Sequence, residues 1–494
     1  MIADGKGLHA AFLLFYLLAL IGIGAIKARK IKSQADFSLA GRGLSTFVLV
    51  GTLLATWIGT GSIFGNAGET YRNGVDAFLL PLGSAVGIIV LMFLAARIRR
   101  FGQFTIQDIL EARFGVTARV LGTLTLVLAY VIIVSYQYRA GAAVLAYLLP
   151  DLSNLTAILF VAGFVIAYTA LAGMFSVAYT DVANGILMTL GIGLAIPILW
   201  SQTGGLGEAI ASLPAANQSL FGHYGAATLA SVLLPAFLLI LGDANMVQRF
   251  FSARSPDSAQ RAAFGMFGGV LVLELAIILT AILAAGLVAQ GKIAAPDNDG
   301  HVIIHVAFEA LPSWLGALLV GTAVAVVVST ADSYLLSPAT SIVRDVYQRF
   351  LRPDADEQHI VVVGRVVVVI AGLLALGLSM TSDRFFSVAL FAYTIYGAGI
   401  TPVILAAYFW KRATSAGAVS SMIAGVVFSC AWKGMVSQHA LLTEAGWTRL
   451  GSLGAWADTS GVDAVIPAIL LSVGVLVTVS LLTPAPTREQ ANTI

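Results

Sequence analysis

The sequence predicts an all-α, polytopic membrane protein with about thirteen transmembrane helices. Of the 494 residues, 59% are hydrophobic and only 11% are charged, and the mean hydropathy is +0.92. A soluble domain carries about 25% charged residues. The apolar residues fall in blocks of about 20, the length with which a helix crosses about 30 Å of hydrocarbon. Fifty glycines suit the close helix packing that small residues allow in lipid.

The apolar blocks define the predicted spans, with boundary errors of about two to four residues. They run over residues 9–27, 46–70, 76–97, 117–149, 154–172, 176–202, 225–251, 262–290, 314–343, 359–380, 385–410, 415–437 and 463–483. The first lacks a small-residue cleavage site, so we interpret it as a retained, extra N-terminal helix and not as a signal peptide. Spans two to six and seven to eleven form two blocks of five, 46–202 and 225–410, and 415–483 adds two C-terminal helices.

Basic residues follow the odd-numbered spans and predict the orientation. The members of these clusters are Lys27, Arg29, Lys30, Lys32, Arg97, Arg99, Arg100, Arg254, Arg261, Arg344, Arg349, Arg352, Lys411 and Arg412. Loops rich in lysine and arginine stay on the cytoplasmic side of a membrane. We therefore expect a multi-pass protein of the plasma or inner membrane whose odd-numbered spans end in the cytoplasm. Its N-terminus would lie outside and its C-terminus in the cytoplasm.

The longest polar interruptions, 203–224 and 291–313, are expected on the external side. The second contains His301, His305 and Glu309 at intervals of four residues, which place them on one helical face. They form either a metal clasp or a helix lying on the membrane surface. We favour the surface helix because a fourth ligand is not evident.

Two spans are predicted to be interrupted, and each is the first of a five-span block. Span two has glycines at 59, 61 and 65, each of which weakens a helix by about 1 kcal/mol relative to alanine. Span seven has Pro235 and then the polar run 242–245. Because five is odd, the two blocks have opposite orientations. Interrupted helices at matching positions of inverted halves indicate a transporter binding site; alternatively, the glycines only allow tight packing.

Ionisable residues inside the spans point to transport. Asp243 and Asp332 lie in the middle of apolar spans. A charge in hydrocarbon costs between about 3 and 10 kcal/mol, so such residues face a water-filled cavity, an ion or a paired charge. The sequence is therefore a candidate for moving something polar across a membrane.

Four segments carry a family resemblance: ATWIGTG at 55–61, FSVAYTDV at 175–182, Gln248-Arg249 and, most strongly, STADS at 329–333. They resemble the sodium:solute symporter family, and the resemblance runs over nearly the whole chain. The resemblance implies a LeuT-type fold, in which the two five-helix blocks are inverted repeats and the remaining helices flank them. Three of these segments are also similar to the choline-transporter branch, which has tryptophan where this chain has Asp243.

The resemblance also implies a first sodium site. Its ligands would be the backbone carbonyls of Ala55, Ile58 and Val326 and the hydroxyls of Ser329 and Thr330. Sodium is a hard cation that prefers oxygen ligands, and residues 326, 329 and 330 share one helical face. In the alternative interpretation, the two hydroxyls simply bond to preceding carbonyls of their own helix.

A second cation site is implied at Asp181, Asp332 and Ser333, with Ser329 beside them. Without a cation the two carboxylates would repel and one would hold a proton, so proton binding is a rival role. In a third interpretation Asp181 is hydrated near the cytoplasmic surface and Asp332 pairs with a basic residue. Arg249 belongs either to a cytoplasmic gate or, more simply, to the positive-inside pattern.

The solute is expected at the midplane, between the broken helices and the third core helix. That helix carries the polar run 135–139, which includes Gln137 and Arg139. Arg139 and Asp243 would bind a zwitterionic or small charged solute. Alternatively they pair with each other, or Arg139 reaches a helix end or an interface. The candidate aromatic walls are Trp57, Phe64, Tyr393 and Tyr396, although single aromatic residues more often serve packing.

The expected function is sodium-coupled secondary symport that imports a small polar or charged solute by alternating access. Amino acids, carboxylates and amines fit equally, and the expected partners are the solute, the sodium ion and the bilayer. The rivals are a proton-coupled symporter using Asp181 or Asp332 and, from another class, a channel or a solute sensor. No HExxH or GxSxG motif occurs, and the glycine-rich run 286–293 lacks the final serine or threonine of a phosphate loop. An enzyme and a nucleic-acid-binding protein are therefore not expected, and no partner protein is implied.

Overall fold

The computed structural model describes residues 2–28, 31–380, 385–487 and 490; Arg29 and Lys30 of the first basic cluster lie outside them. The described residues form helices and no strand, apart from an isolated bridge between Leu44 and Ala253. The all-α prediction is therefore confirmed. The α-helices are α1 Ile2–Ala28, α2 Gln34–Leu39, α3 Thr46–Trp57, α4 Ala67–Asn73, α5 Pro81–Phe101, α6 Ile106–Phe114, α7 Val116–Leu148, α8 Asn154–Thr203, α9 Leu206–Ala211, α10 Ala226–Gly242, α11 Ala244–Ser252, α12 Pro256–Ala289, α13 Val302–Glu309, α14 Ser313–Ser341, α15 Glu357–Ser379, α16 Phe385–Phe409, α17 Ser415–Ser437, α18 His439–Glu444, α19 Thr448–Ser460 and α20 Val465–Leu482. Shorter 3₁₀ segments are Ala40–Arg42, Gly74–Leu79, Ala215–Gln218 and Asp299–His301, and the π-helical segments are Gly61–Asn66 and Ile342–Leu351.

The membrane crossings agree with the predicted number. Within the described residues, 11 helices are long and apolar enough to span, and the bent pair Thr46–Trp57 with Gly61–Leu79 makes 12. Helix α8 has 50 residues, about 75 Å at 1.5 Å per residue, which is too long for one crossing. It breaks at Gly173, where φ is 58° and ψ is 175°, a conformation that only glycine adopts readily. Counting its halves separately gives about thirteen crossings.

Both predicted interruptions are present. After α3, Ile58 leaves helical geometry with φ −71° and ψ 87°, and the two parts of the span meet at 47°. Between α10 and α11, Asp243 has φ −63° and ψ 118°, so it ends one helix and begins the next. The first span of each five-span block is thus broken. The division into repeats at 46–202 and 225–410 stays a prediction.

Helix α14 lies at the centre of the bundle. It packs against α7, α8, α1 and α3, and nearly all of its side chains from Leu315 to Ser341 are buried. Helices α10 and α16 pack together on one side, and α17 and α20 pair at the periphery. The polar residues of α14 therefore face neighbouring helices and not lipid, and Ser329 and Thr330 among them face the break after α3.

The bundle has two polar ends, which we name by their residues. The loop face carries residues 204–225 and 290–312, tied by hydrogen bonds such as Asn217 to the Arg72 carbonyl and Gln290 to the Thr203 carbonyl. The basic face carries Arg99, which donates to the Ala253 carbonyl, and Arg344.

Helix α13 lies on the loop face, but its residues 302–307 are buried and it packs against α14. The favoured interpretation of a helix lying on the membrane surface is therefore wrong. His305 Nε2 lies 2.8 Å from the Ala294 carbonyl oxygen. Within the described ranges, no group of three or more histidine, cysteine, aspartate or glutamate residues has an arrangement that could hold a metal ion.

Candidate ion and solute site

Ser329 joins the broken span to α14. Its hydroxyl donates to the carbonyl oxygens of Ala55, at 3.0 Å, and Val326, at 3.2 Å. Both carbonyls are predicted sodium ligands, and all three residues are fully buried. Three of the five predicted ligand groups therefore meet at one point, where α3 unwinds into Ile58.

Thr330 completes this cluster from the next position of α14. Its Oγ1 is buried and has no hydrogen-bond partner among the described residues. A Cβ atom at Gly59 would lie only 2.9 Å from that oxygen, so the Thr330 hydroxyl directly faces the break in the helix. The alternative interpretation, bonding to a preceding carbonyl, thus applies to Ser329 and not to Thr330. A buried hydroxyl without a hydrogen-bond partner destabilises the folded protein, so this position suits a ligand that the hydroxyl can bind.

A buried ionic network lies one turn towards the basic face. Asp181 Oδ2 accepts from the Thr52 hydroxyl at 2.6 Å and from Arg249 Nη2 at 3.3 Å. Both charged side chains are fully buried. The interpretation of Asp181 as a hydrated surface residue is therefore wrong, and so is the simpler interpretation of Arg249 as part of the positive-inside pattern.

Arg249 also connects Asp181 to the other predicted members of the second site. Its Nη2 donates to Ser333 Oγ at 2.6 Å, and Ser333 Oγ lies 3.2 Å from Asp332 Oδ1. Asp181 Oδ1 and Asp332 Oδ2 have no hydrogen-bond partner among the described residues. The structure thus brings together Asp181, Asp332 and Ser333, with the Arg249 guanidinium bonded to Asp181 and Ser333.

Asp243 and Arg139 do not meet. Asp243 caps α11: its Oδ1 accepts from the Met246 N–H at 2.9 Å and its Oδ2 from the Tyr334 hydroxyl at 3.2 Å. Arg139 Nη1 donates to the carbonyl oxygen of Ser379, 2.5 Å away at the end of α15. Of the interpretations above, the contact with a helix end describes Arg139. Arg139 and Asp243 do not form a pair.

An inner cavity of about 50 Å³ lies beside the first break. Trp57 and Tyr393, two predicted aromatic walls, line it together with Phe386. Gln137 lies nearby, because its Oε1 accepts from the hydroxyl of Thr60, and its Nε2 has no partner among the described residues.

Tyr396 is not part of this wall. It is fully buried and packs on Tyr130, with ring centroids 5.4 Å apart. Tyr130 in turn accepts a hydrogen bond from the Ala244 N–H at 2.9 Å. The packing interpretation therefore describes Tyr396, which supports the break between α10 and α11.

Glu274 of α12 also lines the inner cavity, and the sequence analysis missed it. Its carboxylate accepts from Ser62 Oγ at 2.5 Å and Asn66 Nδ2 at 3.0 Å, and the residue is 3% exposed. The signal was available: Glu274 is a single charge within an apolar span, the same pattern that singled out Asp243 and Asp332.

A larger cavity of about 550 Å³ opens on the loop face. Its lining includes Phe64, three carboxylates (Glu69, Asp297 and Asp299) and one guanidinium, Arg72. The ring of His301 lies edge-on to Phe64, 6.3 Å between centroids. Burial lowers the pKa of His301 to about 4, although Asp297 partly opposes that shift. His301 is therefore neutral at pH 7, and acidic groups dominate this outer cavity.

Comparisons with known proteins agree with this architecture. Residues 37–425 match the model of the sodium:solute symporter family. The sodium/proline symporter of Haemophilus influenzae is 26% identical, over 97% of this chain and 95% of its own length. High-affinity choline transporter 1 of Drosophila melanogaster is 26% identical, over 84% of this chain and 69% of its own length. A Na⁺-coupled sialic acid symporter, solved in a substrate-bound outward-open state, has a TM-score of 0.79 at 18% identity, with 97% of this chain and 98% of that one covered.

These findings confirm the LeuT-type fold and the predicted class of function. The similar proteins are transporters, so the chain is a membrane transporter and not an enzyme. Sodium-coupled symport of small solutes follows from the family match, which extends over most of the chain. The chain belongs to the sodium:solute symporter family.

Proposed function

We propose that the protein imports its solute into the cell, and that the coupling sodium ion binds where α14 faces the break after α3. The ligands would be the carbonyl oxygens of Ala55, Ile58 and Val326 and the hydroxyls of Ser329 and Thr330. The observation that carries this proposal is the arrangement at α14: the Ser329 hydroxyl reaches two of these carbonyls, and the Thr330 hydroxyl has no hydrogen-bond partner in the part of the chain that the structure describes. Five oxygens around a hard cation are a suitable ligand set.

Sodium at this position would connect the broken span to the central helix. Because its ligands come from both elements, the ion stabilises the arrangement in which they are close. If that arrangement also forms the solute site, sodium and solute each tighten the binding of the other, which is the reciprocity that coupled transport requires. Rocking of the two repeats, 46–202 and 225–410, would then release both on the other side. The basic face is cytoplasmic in this proposal, with the N-terminus outside, the C-terminus inside and the protein in the plasma or inner membrane.

The second ion site is proposed at Asp181, Asp332 and Ser333. Arg249 already compensates the charge of Asp181, so Asp332 is the carboxylate that still needs a cation. Sodium and a proton both fit that requirement. A proton at Asp332 is the second candidate for coupling, because Asp332 Oδ2 has no hydrogen-bond partner within the described ranges.

The solute is proposed to bind in the inner cavity, against Trp57 and Tyr393 and close to Gln137. The contribution of Arg139, Asp243 and Tyr396 to solute binding would be indirect, because they stabilise helix ends and the second break. The relatives named above include a proline symporter and a choline transporter, so L-proline and choline are suitable probes.

Uptake into proteoliposomes tests this function. An inward sodium gradient should drive L-proline or choline above its equilibrium concentration, and an equal potassium gradient should not. A channel would only equilibrate the probe. Accumulation driven by a pH gradient, with sodium replaced throughout, would overturn sodium coupling in favour of the proton-coupled alternative.

A further inference from the structure

Glu274 is a charged group in the inner cavity that the sodium site does not use. Its carboxylate lies on α12 and accepts hydrogen bonds from Ser62 and Asn66, both on the π-helical segment after the break. It shares the cavity with Trp57, Tyr393 and Phe386. We propose that Glu274 binds the cationic nitrogen of the transported solute. This inference rests on the proposed function and deepens it, because it assigns the solute to the amines and amino acids.

The Glu274 carboxylate is a buried charge without a basic partner among the described residues. No described basic residue forms an ion pair with Glu274, and its two known partners, a serine hydroxyl and an asparagine amide, are neutral. A buried carboxylate without a counter-charge is unstable, so a cation or a proton must accompany it. Each carboxylate oxygen accepts one hydrogen bond from the protein, and a carboxylate has about four acceptor positions. Acceptor capacity therefore remains for a ligand.

The surroundings of the Glu274 carboxylate are aromatic. Trp57, Tyr393 and Phe386 present aromatic rings to the same space, and aromatic rings attract cations through their negative faces. A cavity of about 50 Å³ admits a few water molecules or the end of a small solute. A carboxylate beside aromatic rings suits an alkylammonium group, whereas a free solute carboxylate would be repelled.

The inner cavity adjoins the outer cavity, from which a solute could reach Glu274. Phe386 lines both the inner cavity and the outer cavity on the loop face, so its side chain lies at their boundary. The outer cavity has three carboxylates and one guanidinium, and Arg72 pairs with Glu69 at 2.8 Å and Asp299 at 2.9 Å. Such a lining concentrates cations and disfavours anions. A positively charged solute would therefore meet an attractive surface before it reaches Glu274.

The test uses the full-length purified protein in sodium and measures thermal unfolding with matched probes. L-proline is paired with cyclopentanecarboxylate, which keeps the ring and the carboxylate but has no cationic nitrogen. Choline is paired with 3,3-dimethyl-1-butanol, its neutral isostere. We expect stabilisation by L-proline, by choline or by both, and none by the two isosteres. The proline and choline arms distinguish a nitrogen that donates hydrogen bonds from a quaternary one.

Two variants then locate the effect. Glu274→Gln should weaken binding of the cationic probe by at least roughly tenfold, because it removes one partner of a buried charge pair. Glu274→Asp keeps the charge and should keep the preference for the cationic probe at lower affinity, which a purely structural role would not produce. Glu309→Gln, at an exposed glutamate of the loop face, is the matched control and should bind like the wild type.

The outcomes separate this inference from the proposed function. Equal stabilisation by cyclopentanecarboxylate and L-proline would overturn the role of Glu274, as would an unchanged response in Glu274→Gln. A protein stabilised by sodium but by neither cationic probe would also overturn it, while the sodium site would stand. A protein that binds a cationic probe without any sodium response would contradict the sodium site and leave Glu274 supported.

Discussion

Arg249 is the residue whose position differs most from its sequence-based interpretation. The segment in which it lies ends a span near other basic residues, and this pattern is typical of a cytoplasmic surface. In the fold, however, its guanidinium is fully buried and donates to Thr52, Asp181 and Ser333. Burial depends on which neighbouring helices cover a helix end, and a single sequence does not contain that information.

Replacing Arg249 by methionine should destabilise the protein by about 3 to 5 kcal/mol, because Asp181 would then be a buried charge without its partner. The double variant Asp181→Asn/Arg249→Met removes both charges and should recover part of that loss. Unfolding of the wild type, both single variants and the double variant gives the coupling free energy. A double variant no more stable than Arg249→Met would contradict a direct charge pair.

The structure brings together more of the residues predicted for the sodium site than of those predicted for the solute site. Ser329 and Thr330 are adjacent on one helix, and their facing partner, the break after α3, is marked by glycines at 59 and 61. The sequence alone could not decide whether Arg139 pairs with Asp243. Arg139 instead contacts the end of α15, and Asp243 contacts the first turn of α11. These contacts depend on how the helices are rotated about their axes.

The break after α3 shows how an element prepares the ion site. Glycines made the interruption predictable, but the 47° angle between the two parts depends on packing against α12, α14 and α16. The break leaves Gly59 so close to α14 that no side chain fits between them. The absence of a Cβ at this position is therefore part of the site.

Gly59→Ala should weaken sodium binding, since the added methyl group would lie 2.9 Å from Thr330 Oγ1. Overpacking of this kind costs about 1 to 3 kcal/mol, and a loss of 1.4 kcal/mol in binding corresponds to a tenfold weaker affinity. Gly163→Ala is the matched control, because nothing lies within 4 Å of its added Cβ. Sodium titrations followed by thermal unfolding should separate the two variants. Equal sodium affinities in both would count against a site at the break.

For the molecule as a whole, hydropathy and residue spacing were sufficient to predict an all-α, polytopic membrane protein. They predicted about thirteen crossings and both interrupted helices. They also predicted a boundary between two spans at 172–176, where the structure has the Gly173 break. They did not predict which faces meet, because nearly every face of these helices is apolar. For that reason Glu274, on the eighth span, was not connected with the glycine-rich second span that supplies its hydrogen-bond partners.

Coupled transport, as we propose it for this protein, requires that a sodium ion bind between the first broken span and α14 and stabilise the native protein. Thermal unfolding of the purified protein in sodium, with potassium as control, tests this claim most directly, since a ligand of the native state must raise its stability. Wild type is compared with Ser329→Ala/Thr330→Ala and with Thr322→Ala, which removes a hydroxyl two turns away on the same helix. We expect a sodium-specific rise in the unfolding temperature of the wild type and of Thr322→Ala, and no such rise in the double variant. No rise at millimolar sodium, or an equal rise in the double variant, would contradict it.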